Sequence, residues 1–72
     1  MPKAFRIRGE FIELAQLLKA VGVVDTGADA KAMVQAGEVE LNGETETRRS
    51  KKVLPGDVVA WAGGSVRVEG EG

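Results

Sequence analysis

Apolar positions change their spacing twice along this chain, and each change marks a change of element. Over residues 4–8, Phe5 and Ile7 alternate with Arg6 and Arg8, the period-two pattern of a half-buried strand. The spacing predicts a short edge strand over Ala4–Arg8. From Glu10 to Ala20 the apolar residues Phe11, Leu14, Ala15, Leu17 and Leu18, with Val21 just beyond, recur three and four apart. That predicts a helix with a broad buried stripe, with Phe11 among its core residues. Gly22 is placed to end it, because a glycine just past the last turn takes the left-handed conformation without strain. Thr26 then offers a hydroxyl at an N-cap position, and Asp29 follows three residues later, close to a capping box and well placed for the helix dipole. A second helix is expected over Gly27–Ala36, burying Ala30, Met33 and Val34, with Lys31 and Gln35 on the opposite surface. Gly37 ends it.

Beyond Gly37 the pattern becomes alternating again. Val39 and Leu41 share a face, and Asn42-Gly43 is a strong hairpin signal, because a type I′ turn needs positive φ at both central residues. The return arm, Glu44 to Thr47, has no aliphatic residue and reads as solvated. Leu54-Pro55-Gly56-Asp57 is a turn in which proline presets φ and glycine is free to take a positive value. Val58–Trp61 and Ser65–Glu69 read as two strands joined around Gly63-Gly64. The order predicts an α+β fold: two short helices packed on a small, mostly antiparallel sheet of four or five strands. The tail at 70–72 is expected to fray.

A chain of 72 residues makes one domain, near the lower size limit for a fold held by a hydrophobic core alone. It has no cysteine and no histidine, which removes disulfides, thiolate zinc sites, the usual general base and the commonest metal ligand. Ser50 and Ser65 therefore have no imidazole to activate them, and the carboxylates are scattered over helix ends and turns. Neither catalysis nor a cofactor is expected. No apolar run approaches the ~20 residues of a membrane span, and the N-terminal charges precede no signal-like apolar region, so a soluble cytoplasmic protein is expected.

The formal net charge is −1, but its distribution is uneven. Residues 1–9 carry +3, and residues 10–47 set Lys19 and Lys31 against eight acids for −6. Residues 48–52 then carry +4, from Arg48, Arg49, Lys51 and Lys52, and residues 53–72 carry −2. Exposed charges are screened beyond ~8–10 Å, so a ligand on the basic segment would feel that patch more than the total. Phosphate is the first anion to consider, since arginine engages its oxygens bidentately and lysine acts as a point charge. On an extended ribbon, Arg48 and Arg49 would point to opposite faces, and so would Lys51 and Lys52. The competing reading is a solvated charged run that guards an edge strand from aggregation.

Other residues add to this picture more weakly. Lys31 stands near the start of the second helix, where the amides of Gly27 and Ala28 also favour anions, but equally fits an exposed lysine pairing with Asp29 or Gln35. Thr26 is a cap first and a phosphate ligand second. Lys3, Arg6 and Arg8 would extend the basic surface if the first strand packed beside the ribbon. Trp61 is the sole tryptophan, there is no tyrosine, and Phe5 and Phe11 fit core positions, which leaves no aromatic platform for unpaired bases. For a nucleic-acid ligand, recognition by shape and phosphate contact rather than by stacking of unpaired bases is therefore the expectation.

Two short helices followed by Gly37-Glu38-Val39-Glu40-Leu41-Asn42-Gly43, and later by Pro55-Gly56-Asp57-Val58-Val59, resemble the S-four RNA-binding domain, named after ribosomal small-subunit protein four. The resemblance covers about residues 10–62. It extends nearly end to end for the stand-alone bacterial YbcJ-type group, through Phe11-Ile12-Glu13-Leu14, Leu17-Leu18-Lys19, Thr26-Gly27, Ala30-Lys31, Glu46-Thr47-Arg48-Arg49 and Lys52. It implies an alpha-L motif, two helices and a hairpin, and a non-enzymatic, monomeric RNA-binding protein directed at ribosomal or tRNA-like RNA. Where the wider family often opens the second helix with Ser-Arg, this chain has Thr26 and Gly27, and Glu13 stands where close relatives are expected to be basic. Arg48, Arg49, Lys51, Lys52, Lys31 and Thr26 are the RNA-binding candidates. Two alternatives stand beside this reading. One is a ubiquitin-like sulfur carrier, although the Glu69-Gly70-Glu71-Gly72 end lacks the Gly-Gly needed for activation. The other is a protein-interaction module whose acidic helical face takes a basic partner.

Overall fold

A computed structural model describes residues 3–71. In chain order the elements are β1 (Lys3–Arg6), β2 (Ile12–Glu13), α1 (Leu14–Ala20), α2 (Gly27–Gln35), β3 (Glu40–Leu41), β4 (Glu44–Thr45), β5 (Lys52–Val53), β6 (Val58–Trp61) and β7 (Gly64–Glu69). Five strands form one sheet in the order β1-β7-β6-β3-β4, and β2 pairs with β5 in a separate two-stranded ribbon. The expected α+β architecture is present, with a mixed sheet: β1 runs parallel to β7 while the other pairs are antiparallel. A parallel pair requires a long crossover, and here nearly the whole chain lies between its two members.

The core is aliphatic and contributed by every layer. Leu14, Leu17 and Leu18 of α1 meet Ala30 and Val34 of α2, Val39 before β3, Val53 of β5, and Val59, Val66 and Val68 of the sheet, all essentially without solvent contact. Val66 and Val68 point inward on β7 and Arg67 outward, as strand alternation demands. Each helix ends in the same device. Gly22 and Gly37 adopt φ of 83° and 77°, the N–H of Val23 donates to the Leu18 carbonyl at 3.0 Å, and the N–H of Glu38 donates to that of Met33 at 3.3 Å. These are Schellman closures, which pair carbonyls that a helix end leaves open. At the start of α2, Thr26 Oγ1 accepts the Asp29 N–H at 3.1 Å, so half of the anticipated capping box is made.

Three boundaries differ from the sequence expectation. The first helix begins at Leu14 rather than Glu10, because Ile12 and Glu13 are extended and pair with Val53 and Lys52. Over four residues, Phe11-Ile12-Glu13-Leu14 satisfies a period of two as well as one of 3.6; the distant partner strand selects the extended form. The first strand is Lys3–Arg6, extended in hydrogen bonding by Ile7, whose N–H donates to the Glu69 carbonyl at 2.8 Å. The last hairpin turns at Ala62-Gly63 rather than Gly63-Gly64, since β6 and β7 stay paired out to Trp61 and Gly64. Gly72, part of the tail expected to fray, lies outside the described residues.

Candidate nucleic-acid interface

Two turns flank the middle of the molecule, and their polar groups are used in opposite ways. Asn42 and Gly43 both have positive φ, 53° and 87°, as a type I′ turn requires. The Asn42 side chain then reaches the proline turn: Oδ1 accepts the Val58 N–H at 2.9 Å, and Nδ2 donates to Asp57 Oδ1 at 3.0 Å. Asp57 Oδ2 accepts the Leu54 N–H at 2.9 Å, and the Asp57 N–H donates to the Leu54 carbonyl at 3.0 Å, closing a turn in which Gly56 takes φ of 96°. This corner joins the β3–β4 hairpin to the start of β6.

The basic segment lies beyond the hairpin, in the connection from β4 to β5. It is a turn and not an extended ribbon: the Lys51 N–H donates to the Arg48 carbonyl at 3.2 Å, so Arg48 and Lys51 stand at the two ends of one β-turn. Arg48 and Arg49 therefore do not straddle a strand as the sequence reading supposed, while Lys52 does lie on one, β5. The turn is fastened to α1 by its backbone. The Leu14 N–H donates to the Lys51 carbonyl at 2.9 Å, and the Ala15 N–H donates to the Arg49 carbonyl at 3.0 Å. Helix starts leave amide donors unpaired, and Glu13 supplies no side-chain cap here, so the basic turn caps the helix with its own carbonyls. With those carbonyls turned onto the helix, the side chains of Arg48, Arg49 and Lys52 are left exposed and that of Lys51 half-exposed.

One carboxylate sits among these cations. Glu46 Oε2 accepts the Arg48 backbone N–H at 3.1 Å and the Arg48 Nε–H at 3.3 Å, while 71% of the Arg48 side chain remains open to solvent. Chiefly the backbone N–H of Arg48, helped by its guanidinium and by Lys51, holds the Glu46 carboxyl below its ordinary 4.5, against an opposing effect of partial burial. Glu46, Arg48 and Lys51 line a shallow open groove of about 460 Å³ with Leu41, Asn42, Glu44 and Thr45. Sequence reading missed Glu46, although a spacing of two from Arg48 on an extended arm was the available signal.

The remaining candidates are placed as follows. Thr26 caps α2, and Lys31 is exposed on that helix; no hydrogen bond or ion pair among the described residues joins either to the basic turn. Arg6 and Arg8 are exposed at the β1 end of the sheet, whose opposite edge is β4. Phe11, expected in the core, is 40% exposed, because residues 10–13 leave the helix, and the Lys52 ammonium lies 4.8 Å from its ring centroid. Trp61 is half-buried and packs against the core. Among the described residues there is no cluster of acids arranged to hold a metal ion and no helix long and apolar enough to cross a membrane.

Known proteins resemble this chain in sequence and in fold. Residues 5–69 match the family model of the S4 domain. YbcJ of Escherichia coli (strain K12) is 42% identical over 57 residues, which cover 79% of this chain and 81% of that protein. RlbA of Bacillus subtilis (strain 168), named a probable ribosome maturation protein, is 39% identical over 69 residues, 94% of this chain and 97% of its own. The solution structure of Escherichia coli YbcJ, described as revealing an alfa-L motif involved in RNA-binding, superposes with a TM-score of 0.73 at 36% identity, covering 96% of this chain and 89% of the other. With a matched span that takes in both helices, the hairpin and the basic turn, the chain belongs to the S4 domain family.

Proposed function

We propose that this domain is a non-enzymatic RNA-binding protein that holds structured RNA, ribosomal or tRNA-like, through phosphate contacts made by Arg48, Arg49, Lys51 and Lys52. The observation that carries the reading is the backbone fastening of the basic turn to α1: Lys51 and Arg49 give their carbonyls to Leu14 and Ala15, which fixes the turn while its cations stay in solvent. A cluster preorganised in this way loses less side-chain and loop freedom on binding than a mobile loop would. Lys31 and Thr26 contribute from α2, the lysine as a point charge and the threonine hydroxyl as a donor beside the amides of Gly27 and Ala28. The RNA-binding description of YbcJ and the ribosomal name of RlbA support the same ligand class. The domain acts as a monomer and needs no cofactor.

The test is a titration of a labelled structured RNA at rising salt, followed by fluorescence anisotropy. Phosphate contact predicts binding that weakens linearly in log–log form, with a slope of about −0.7 to −0.9 per phosphate engaged. Binding that is absent at low salt, or indifferent to salt, rejects the proposal.

A further inference from the structure

The outer face of the β2–β5 ribbon holds an aromatic ring where the RNA-binding turn ends. Ile12 pairs with Val53 and Glu13 with Lys52 in antiparallel register, and Val53 is fully buried. The alternation therefore turns Glu13 and Lys52 outward. The same register carried one step further sets Phe11 across from Leu54, and these are the large apolar side chains that the described residues leave exposed, at 40% and 49%. Lys52 has Glu13 directly opposite, yet its ammonium lies over the Phe11 ring, 4.8 Å from the centroid. Such a cation–π contact orients the ring and keeps the charge at its face.

We propose that Phe11 is a stacking platform for one unpaired base of the bound RNA, with the phosphate of that nucleotide on the Lys52 ammonium. This rests on the RNA-binding reading above and deepens it, because phosphate contact alone cannot distinguish paired from unpaired nucleotides. Charge selects the occupant. The ring carries the Lys52 ammonium over its face, and this cation favours a polyanion that also carries flat apolar faces. Glu13 on β2 and Glu10 just before that strand are exposed and turn the phosphate toward Lys52. A base laid on the ring covers apolar surface that is otherwise in water, and the exchange is indifferent to base identity, since every base has a π-face.

Two short RNA hairpins test this, identical except that one carries a single bulged 2-aminopurine while the other is fully paired. The intact domain should bind the bulged hairpin more tightly and quench its fluorescence. Phe11→Ala should weaken that binding by at least about fivefold, the lower range for loss of one base–aromatic stack, and abolish the quench, while leaving the fully paired hairpin within about twofold. Phe11→Trp should preserve the preference, whereas Phe11→Leu, which keeps the apolar bulk without the π-face, should not. Equal weakening on both hairpins, full activity of Phe11→Leu, or no effect of Phe11→Ala would overturn the platform while leaving RNA binding intact. Failure of the unsubstituted domain to bind either hairpin at low salt would overturn RNA binding and the platform with it.

Discussion

The Asn42–Asp57 corner and the Arg48–Lys52 turn are both polar surface loops, yet one turns its side chains onto the protein and the other turns its backbone. At the corner, the Asn42 amide and both carboxylate oxygens of Asp57 are taken up by Val58, Leu54 and each other. In the basic turn, Lys51 and Arg49 give main-chain carbonyls to the first amides of α1, and the charged heads remain in water. The first arrangement holds the hairpin against β6. The second fixes the turn while leaving its cationic side chains exposed or half-exposed. The corner commits its side chains to the fold, whereas the basic turn is fixed mainly by its backbone and, in the function proposed above, presents its cations to RNA.

That contrast predicts a separation of stability from binding. Asn42→Ala removes the side chain that accepts from Val58 and donates to Asp57, and it puts a β-carbon without a local hydrogen bond at φ of 53°. Stability should fall by about 2 kcal/mol, from the unpaired groups and the left-handed backbone together, with RNA affinity of the folded protein unchanged. Urea unfolding followed by Trp61 fluorescence measures the first quantity and anisotropy the second. A loss below about 0.5 kcal/mol would make the corner incidental.

Glu46→Gln probes the other side of the comparison with a smaller expected effect. It removes a negative charge within 3.3 Å of Arg48 from the groove that also holds Lys51. A phosphate drawn to the turn would then meet less repulsion, worth about 1 kcal/mol at contact range in water, so affinity should rise up to about fivefold at low salt. Lower affinity would mean that the Glu46 contact is needed to position Arg48. The acid limb gives the smallest effect. Because folding lowers the Glu46 carboxyl below 4.5, its stabilising contribution is complete above that pH and is lost as pH falls through the folded value. The stability difference between the parent and Glu46→Gln should be flat from neutral pH to about 5 and should change only below it, in the sense that the parent loses more.

The features legible in the sequence were those whose physics closes within a few residues. Asn42-Gly43 and Pro55-Gly56 state their φ requirements directly, Thr26 and Asp29 mark a helix start, and Gly22 and Gly37 mark helix ends; all of these appear as read. The aliphatic stripe of Leu14, Leu17 and Leu18 was equally plain. What stayed hidden depends on partners about forty positions away in the chain. No local pattern says that Ile12 and Glu13 will pair with Val53 and Lys52, and that pairing shortens the first helix and brings Phe11 to the surface. The same long-range contact turns the basic run into a helix cap. The identities of the four clustered cations were therefore readable, and their arrangement was not.

The decisive measurement is the salt dependence of structured-RNA affinity for the parent and for the double variant Arg48→Ala, Arg49→Ala. Both side chains are exposed, and the carbonyl of residue 49 that caps Ala15 survives the substitution, so the variant should fold with stability within about 0.5 kcal/mol of the parent. If the basic turn holds phosphates, affinity at low salt falls by about tenfold or more and the log–log slope flattens by up to about two units. An unchanged slope with unchanged affinity would place the RNA elsewhere on the domain and contradict the role assigned to the turn.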